Sequence, residues 1–375
     1  MDGPDDSDPG LAGLSPEFQA MLGGLSGHTA AFAQMLEKRT KASKEVEKEK
    51  DDEVYLESYA DLAIHEEMLK DTERVKAYRT AIEHFGPTWA EATVVDVGAG
   101  TGLLSVFISR AGARKVVAIE ASRLSHFLKK VVEENSCSVE VHECLAEDLS
   151  LPEKVDAIVS EWMGYCLLFE NMLPSVLAVR DQYLKPGGLM LPSKCRLLLA
   201  PIQDDHWRQQ KVDFWHRVQG IDMSPLMPLA TASFCGIPQH HVIDPEKILA
   251  PGTCIFEADL HSVQLADLEA FERWLSVCVP SDRRLDGFVA WFECDFAGAA
   301  TLSTAPSAAA THWKQTAFYL RQPIGGCWVA RKDGGVEVKG SVSFQKHPSF
   351  SRGYQVSFDL QAPGRKARSE GYELR

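Results

Sequence analysis

The chain has 375 residues, 45% of them hydrophobic and 25% charged, which is the composition of a soluble globular protein with roughly two to three domains. Its formal charge of −14 argues against a protein that binds nucleic acid by neutralising phosphates, although it is compatible with cationic partners. Every apolar run is shorter than the roughly 20 residues that span a bilayer, and the nine cysteines follow no zinc-ligand spacing. We therefore predict no membrane segment, no metal site, and reduced thiols in the cytosol or nucleus.

The first part of the sequence divides near residue 50. Residues 1–50 mix Gly, Ser and Pro with charged residues, and we predict a tail that is flexible or partly helical. From residue 51 the apolar spacing becomes helical, with Leu62, His65, Glu66 and Leu69 expected near one face. The folded part of the chain is therefore expected to begin with helices.

Strand-like and helical segments then alternate as far as residue 192. The strand patterns are ATVVDVG, KVVAIEA, VEVHECLA, VDAIVSEW and GLMLPS, with helical patterns between them. One of these, NMLPSVLAVRDQYLK, has Pro174 in its first turn, where proline is tolerated. Alternation of this kind predicts a parallel, doubly wound, Rossmann-like sheet, and we assign residues 51–192 to it and its preceding helices.

The pattern changes after Pro192. Short strand-like runs separated by Gly, Pro and Ser turns predict an all-β, barrel-like domain over residues 193–375. A helical insertion at about residues 206–226 interrupts these runs and carries Trp207, Phe214 and Trp215. Such aromatic residues are more often core than interface, but an insertion outside the β pattern is a candidate dimerisation arm.

A glycine-rich turn joins the first strand of the sheet to its first helix. Gly98, Gly100 and Gly102 lie in this turn, which is common to NAD-dependent enzymes, methyltransferases and ordinary cores. Glu120 ends the second strand about 20 residues further on, where an acid can bind both hydroxyls of a ribose. Asp96 would repel a pyrophosphate but would favour a cationic ligand. The charges therefore favour S-adenosylmethionine over NAD.

The segment VSEWMGYCLLFENM, residues 159–172, holds two carboxylates in an apolar setting. Glu161 follows a strand directly and so lies at the ligand-binding edge of the sheet, and Glu170 is expected to begin the next helix. Two adjacent carboxylates repel each other unless a cation lies between them, and a planar guanidinium suits that position. The pattern predicts a site for an arginine side chain, and the alternative is that each glutamate pairs with a surface lysine.

From about Tyr55 to its end, the sequence resembles the type I branch of the protein arginine N-methyltransferases. The resemblance rests on YLESYADLAIHEEMLKDTERVKAY, VDVGAGTG, SEWMGYCLLFE and THWKQ, which occur in the family's order and spacing. It implies a class I methyltransferase sheet and a β-barrel-like domain with a dimerisation arm. It also implies methyl transfer from S-adenosylmethionine to arginine nitrogens, which leaves S-adenosylhomocysteine and forms monomethyl- and asymmetric dimethylarginine. The implied substrates are histones, RNA-binding proteins or other basic or RG-rich proteins, and the implied assembly is a homodimer.

The resemblance further implies roles for individual residues. Catalytic residues would be Glu161, Glu170, His312 and Asp71, with the glutamates clamping the substrate guanidinium and His312 paired with Asp71. The cofactor would be held by His65, Arg74, Asp96, Gly98, Gly100, Glu120, Ala146 and Glu147. Among these, Arg74 would pair with its carboxylate, and Ala146 and Glu147 would lie beside its adenine.

Five further residues are implied at the substrate side, namely Tyr55, Tyr59, Met68, Met172 and Trp313. The two tyrosines would lie on a helix that closes over the cofactor, the two methionines would shape the methyl-transfer pocket, and Trp313 would line the substrate entrance. One departure is Leu56, where the family usually has Phe. The proton that leaves the substrate would go to Glu170 or through His312 and Asp71, and the sequence leaves both routes open.

Two other functions are compatible with parts of the pattern. A small-molecule methyltransferase on the same sheet would explain the glycine turn and Glu120, but not the acid pair together with THWKQ. An inactive regulatory paralogue usually has lost one of the key residues, whereas Glu161, Glu170, Gly98 and Glu120 are all present.

Overall fold

The computed structural model describes residues 50–325, 335–363 and 366–375. The chain divides into two compact units, Met1–Glu53 and Val54–Arg375, and the second contains the sheets. The tail predicted over residues 1–50 lies outside the described residues except for residue 50. Within the described ranges, every helix is too short or too polar to cross a membrane.

Helices precede the first sheet, as predicted. Residues 54–58 are helical, and α1 (Leu62–Lys70), α2 (Thr72–His84) and α3 (Gly86–Trp89) follow. Asp61 and Asp71 cap α1 and α2, because each side chain accepts a hydrogen bond from a backbone N–H of the first turn.

The helix α1 has the predicted helical spacing, but only one of the four residues expected near one face is buried. Leu62, Leu69 and Glu66 are exposed, the two leucines by 66% and 41%, whereas His65 and Met68 are buried. The face that packs is the one directed at the glycine turn, since His65 lies against Gly100.

The first sheet is parallel and has the predicted α/β order. Its elements are β1 (Thr93–Val97), α4 (Leu103–Arg110), β2 (Lys115–Ile119), α5 (Ser125–Glu134), β3 (Val139–His142), β4 (Val155–Ser160), α6 (Leu173–Tyr183) and β5 (Leu184–Leu191). The strand order is β3-β2-β1-β4-β5, so the order reverses between β1 and β4, where ligands bind in open α/β sheets. Val97 pairs with Ser160, which brings the glycine turn and Glu161 to the same edge.

Antiparallel sheets form the second part of the chain, as predicted. Their strands are β6 (Lys194–Ile202), β9 (Gln239–His241), β10 (Thr253–Asp259), β11 (Ala270–Pro280), β12 (Leu285–Asp295), β13 (Thr301–Ser303), β14 (Gln315–Ile324), β15 (Gly335–Lys346), β16 (Tyr354–Gln361) and β17 (Arg368–Leu374). Among the described residues, one sheet has the order β10-β6-β12-β14-β9 with β13 beside β12, and another has the order β11-β15-β16-β17. A short helix, α9 (Leu265–Glu269), precedes β11. One apolar core runs from the parallel sheet into these strands.

The insertion between β6 and β9 is helical at both ends and irregular between them. It contains α7 (Asp205–Lys211), a 3-10 turn, the two-residue strands β7 (Arg217–Val218) and β8 (Ile221–Asp222), and α8 (Met227–Cys235). Trp207 is core, because its ring stacks on that of Tyr319 at 3.6 Å, whereas Phe214 is 49% exposed. The aromatic residues of the insertion are thus divided between the interior and the surface.

Candidate active site

The glycine turn after β1 has a backbone that only glycine adopts without strain. Gly98, Gly100 and Gly102 have φ values of 71°, 54° and 86°. A Cβ atom at Gly98 would lie 2.2 Å from Cε of Met172, and one at Gly100 would lie 3.2 Å from Cε1 of His65. The side chains of Met172 and His65 therefore pack directly against the turn. Met68 is buried on the same helix as His65.

Glu120 lies beside this turn. Its Oε2 accepts a hydrogen bond of 2.7 Å from the Gly100 N–H, and its Oε1 accepts one of 2.7 Å from the Ser122 N–H. The residue is only 7% exposed. These bonds hold the carboxylate at the end of β2, at the edge where the glycine turn lies.

Asp96 is fully buried at the end of β1. Ser105 donates a hydrogen bond of 2.6 Å to its Oδ2, whereas its Oδ1 has no hydrogen-bond partner among the described residues. The pKa of Asp96 is raised to about 7, because burial and the charge of Glu120 raise it by more than the Ser105 bond lowers it. A buried carboxylate oxygen without a partner is costly, and a cation close to it would remove that cost. The cationic cofactor S-adenosylmethionine fits this arrangement.

Ala146 and Glu147 lie in a 3-10 turn after β3, Ala146–Asp148. Glu147 accepts a hydrogen bond of 2.7 Å from the Ser175 hydroxyl, which links this turn to α6. The two residues that were expected beside the adenine therefore lie on a turn that is fixed from the neighbouring helix.

The loop that carries the two acids, residues 161–172, is called the acid loop below. Glu170 is expected to begin α6, but that helix starts at Leu173. It lies instead in a strained part of the loop, where the residues with left-handed backbone are Cys166, Leu167, Glu170 and Asn171, with φ values of 53°, 66°, 73° and 53°. A side chain in this region costs about 1–3 kcal/mol, so the surrounding contacts must hold the loop in place.

Glu161 already has a cationic partner within the chain. Nε of Arg74 donates to its Oε2 at 3.0 Å, and the Met163 N–H donates to its Oε1 at 3.2 Å. Both charged side chains are about nine-tenths buried, at 10% and 8% exposure. The cation beside Glu161 is therefore an arginine of the chain itself, which the sequence does not predict. Arg74, expected on the cofactor's carboxylate, directs its Nε at Glu161 and its Nη1 at the Met68 carbonyl.

Glu170 is held from the N-terminal side by Tyr59, whose hydroxyl donates to Oε2 at 2.5 Å. The pKa of Glu170 is raised to about 7, and burial is the largest cause. The like charge of Glu161 also raises it, whereas the Tyr59 bond and the charges of Arg352 and His312 lower it. Glu170 therefore changes its protonation state near neutral pH.

Asp71 joins three parts of the site. Its Oδ1 accepts from the Arg74 N–H at 3.0 Å, and its Oδ2 accepts from Nδ1 and the backbone N–H of His312, at 2.7 and 2.9 Å. Trp313, expected to line a substrate entrance, is only 4% exposed. Its indole N–H donates to the Met163 carbonyl at 2.7 Å, so this side chain supports the acid loop from inside and presents no surface to a substrate.

Comparison with known proteins identifies the family. A model described as the arginine methyltransferase oligomerization subdomain matches residues 193–364, and a methyltransferase domain model matches residues 94–188. The probable protein arginine N-methyltransferase 6.2 of Oryza sativa subsp. indica is 38% identical over 334 residues, which cover 80% of this chain and 84% of that protein. Protein arginine N-methyltransferase 6 of Xenopus laevis is 41% identical over 286 residues, 74% of this chain and 84% of that protein. This chain belongs to the protein arginine N-methyltransferase family.

Solved structures of the family agree with this assignment. The Trypanosoma brucei PRMT1 enzyme–prozyme complex with AdoHcy matches with a TM-score of 0.76 and 30% identity, over 85% of this chain and 100% of that chain. Protein arginine methyltransferase 10 of Arabidopsis thaliana matches with a TM-score of 0.73 and 30% identity, also over 85% and 100%. As a family member, the chain is an S-adenosylmethionine-dependent arginine methyltransferase, as the sequence predicts.

One residue of this methyltransferase site was missed by the sequence analysis. Arg352, in the turn between β15 and β16, donates from Nη1 to the Glu170 carbonyl at 2.7 Å, and its own carbonyl accepts from the Glu170 N–H at 2.9 Å. The segment SFSRGYQV predicts only a turn before a strand. No local pattern indicates that its arginine reaches an acid 182 residues earlier in the chain.

Proposed function

We propose that this methyltransferase is a type I enzyme, which methylates an arginine guanidinium held between Glu161 and Glu170 and forms monomethyl- and asymmetric dimethylarginine. The observation that carries the proposal is the placement of two partly buried carboxylates at the two ends of one loop, beside the glycine turn. The charge of Glu161 raises the pKa of Glu170, which supports a cation between them.

The cofactor site is proposed from the residues that converge on the glycine turn. S-adenosylmethionine, when bound, supplies an electrophilic methyl group. The residues that would hold it are His65, Arg74, Asp96, Gly98, Gly100, Glu120, Ala146 and Glu147. Asp96 and Glu120 provide carboxylate oxygens, and the glycines let the backbone come close to a ligand.

The proposed clamp activates a poor nucleophile. A guanidinium reacts slowly because its positive charge is spread over three nitrogens. Carboxylates that accept hydrogen bonds from two of them would orient the third and draw the charge away from it. Because Glu161 shares its charge with Arg74, Glu170 is the more available of the two acids. Orientation in a dry site of this kind can supply roughly 7–11 kcal/mol of a reaction barrier.

Glu170 is also the proposed acceptor of the proton that leaves the methylated arginine. A general base works best when its pKa lies near the working pH, and that of Glu170 is about 7. Asp71 is less suited, because hydrogen bonds from His312 and Arg74 outweigh its burial and lower its pKa. We therefore place the His312–Asp71 pair in a structural role that joins α2 to the β sheets.

We further propose a homodimer formed through the insertion. Phe214 and Ile221 of the insertion are 49% and 59% exposed, and Phe127 on α5 is 57% exposed, so apolar surface is available on both elements. Sedimentation of the full chain should give a dimer, and Ile221→Asp should give a monomer. Trp274→Asp, at a side chain 66% exposed on β11, is the control and should remain dimeric. A monomeric wild-type protein with full activity would contradict the proposal.

Basic or RG-rich proteins, such as histones and RNA-binding proteins, are the proposed substrates, because two partly buried carboxylates and a net charge of −14 favour cationic partners. The cytosol or nucleus is the proposed location, and it is supported by the eight cysteines that the described residues hold as free thiols.

The test is methyl transfer by the full chain from labelled S-adenosylmethionine to an RG-rich peptide, followed by mass spectrometry that resolves the product isomers. We expect monomethyl- and asymmetric dimethylarginine. A symmetric product would contradict the type I assignment. A protein that binds S-adenosylhomocysteine in calorimetry but labels no arginine peptide would instead be an inactive paralogue.

A further inference from the structure

The turn between β15 and β16, residues 347–353, is bonded to the far end of the acid loop. Two bonds join Arg352 and Glu170 through their main chains and the arginine side chain, as described above. A third runs from Nδ2 of Asn171 to the Ser351 carbonyl at 3.1 Å. The turn is itself closed, since the His347 N–H donates to the Gly353 carbonyl at 3.0 Å. The end of the acid loop is therefore attached to a separate, ordered turn.

These bonds hold a backbone that would otherwise relax. Glu170 and Asn171 have φ values of 73° and 53°, which side chains other than glycine rarely adopt. Both main-chain polar groups of Glu170 are satisfied by Arg352, its N–H by the arginine carbonyl and its C=O by Nη1. The direction in which the Glu170 carboxylate leaves the backbone is fixed by this pair of bonds.

One face of the Arg352 guanidinium contacts the segment before α1. Its central carbon lies 3.7 Å from the centre of the Tyr55 ring, a cation–π contact. The Tyr55 ring lies 4.7 Å from that of Tyr59, whose hydroxyl is bonded to the Glu170 carboxylate. Four residues thus form a closed ring of contacts in which Arg352 holds the main chain of Glu170 and Tyr59 holds its side chain.

We propose that Arg352 is a positioning residue for methyl transfer, which fixes the Glu170 carboxylate through its main chain and fixes Tyr55 and Tyr59 over the site. This inference rests on the proposed clamp. Arg352 acts through Glu170 and Tyr55, and the two glutamates, not Arg352, bind the substrate. Lysine cannot replace it, because an ammonium lacks the planar group that stacks on a ring while it donates in its own plane.

The first test measures steady-state kinetics on an RG-rich peptide for three full-length proteins, namely wild type, Arg352→Met and Arg352→Lys. We expect kcat to fall about 10- to 100-fold in both variants, since small errors in the position of a catalytic group cost that much. The KM for the peptide should change far less, because in this proposal Arg352 does not bind the substrate itself. Arg196→Met is the matched control, since Arg196 forms an exposed pair with Glu293 on a distant strand and should not alter kcat.

The second test separates positioning from simple loss of folding through the pH dependence of kcat. The charged and titratable groups that face Glu170 are Glu161, Tyr55, Tyr59, Tyr165, His312 and Arg352. Removing the arginine charge disfavours the ionised carboxylate, so the acidic limb of the profile should move to higher pH in Arg352→Met. Arg352→Lys keeps the charge, so its limb should stay in place while kcat is still reduced.

Tyr55→Leu provides an independent variant should Arg352→Met fail to fold. It removes the ring beneath the guanidinium and keeps the three bonds between the turn and the acid loop, so kcat should fall by less than in the arginine variants. If the wild-type protein is active and Arg352→Met has the same kcat, this inference is overturned and the proposed function is not. The same holds if kcat falls only in proportion to the unfolded fraction of the variant and the acidic limb of its pH profile does not shift. A wild-type protein without transfer activity would overturn the proposed function and this inference with it.

Discussion

Tyr59 donates a hydrogen bond of 2.5 Å to Oε2 of Glu170, a residue 111 positions later in the chain. The contact joins the segment before α1 to the far end of the acid loop. Although burial raises the pKa of Glu170 to about 7, this bond favours the ionised form. The N-terminal segment therefore helps to set the charge of the proposed clamp.

Tyr59→Phe should shift the pH dependence of kcat. Without the phenol the pKa of Glu170 rises above about 7, and because the clamp needs the ionised form, kcat should fall at pH 7 and recover at higher pH. A bond to a charged group predicts a shift of about one to two pH units. Rates measured from pH 6 to 9.5 would check this.

The control for Tyr59→Phe is Tyr372→Phe. It removes a buried hydrogen bond of 2.9 Å to the Tyr319 carbonyl and should lower stability without moving the acidic limb. An unshifted limb in Tyr59→Phe would show that its hydroxyl does not control Glu170.

Glu161→Gln should reduce kcat about 30- to 1,000-fold, because it removes one charge-assisted contact to the substrate, and should leave S-adenosylhomocysteine binding nearly intact. Glutamine can still accept a bond from Arg74, so its cost in stability should be about 1–2 kcal/mol. Glu161→Ala leaves Arg74 buried without its acid and should cost about 3–5 kcal/mol. Steady-state kinetics and denaturant unfolding measure both effects, and a kcat of Glu161→Gln within a factor of two of wild type would contradict the clamp.

The fold and the main chemistry of the site could be predicted from the sequence because their signals are local. The glycine turn, Glu120 and Glu161 each lie at the end of a strand whose pattern is visible over a few residues. Parallel strands bring their ends to one edge, so proximity follows from the fold alone. The partner of Glu161 could not be predicted in this way, because Arg74 lies 87 residues earlier on a helix outside the sheet.

The geometry of the acid loop could not be predicted either. Glu170 has a left-handed backbone without the glycine or asparagine that usually signals one, because Arg352 from a distant turn holds it there. Similarly, α1 buries His65 and exposes Leu62, because what lies beside the helix, and not its own pattern, selects the packed face.

Asp71→Asn should destabilise the protein at neutral pH by about 1–3 kcal/mol, because it weakens the cap of α2 and the bond to His312. Burial alone would raise the pKa of Asp71, but these hydrogen bonds lower it below its ordinary value. A lowered folded-state pKa gives stability that is present above the unfolded value near pH 4 and lost as the pH falls below it.

Between pH 5 and 3, the difference between wild type and Asp71→Asn should therefore shrink as the pH falls below about 4. Urea unfolding across this range measures it. Asp282→Asn, at an exposed turn, serves as the control. A difference that grew on acidification would contradict the sign.

Asp96→Asn should stabilise the ligand-free protein above neutral pH. Burial raises the pKa of Asp96 from 3.8 to about 7, so the folded state favours the protonated acid, and stability is lost as the pH rises from about 4 to 7. Asparagine does not ionise, so the variant avoids this loss, which is at most about 4 kcal/mol. The net gain in stability is smaller, because the buried asparagine amide has no hydrogen-bond partner. Melting at pH 8 should therefore favour Asp96→Asn without ligand, whereas saturating S-adenosylmethionine should raise the melting temperature of wild type by more. Equal increases in the two proteins would remove Asp96 from the proposed cofactor site.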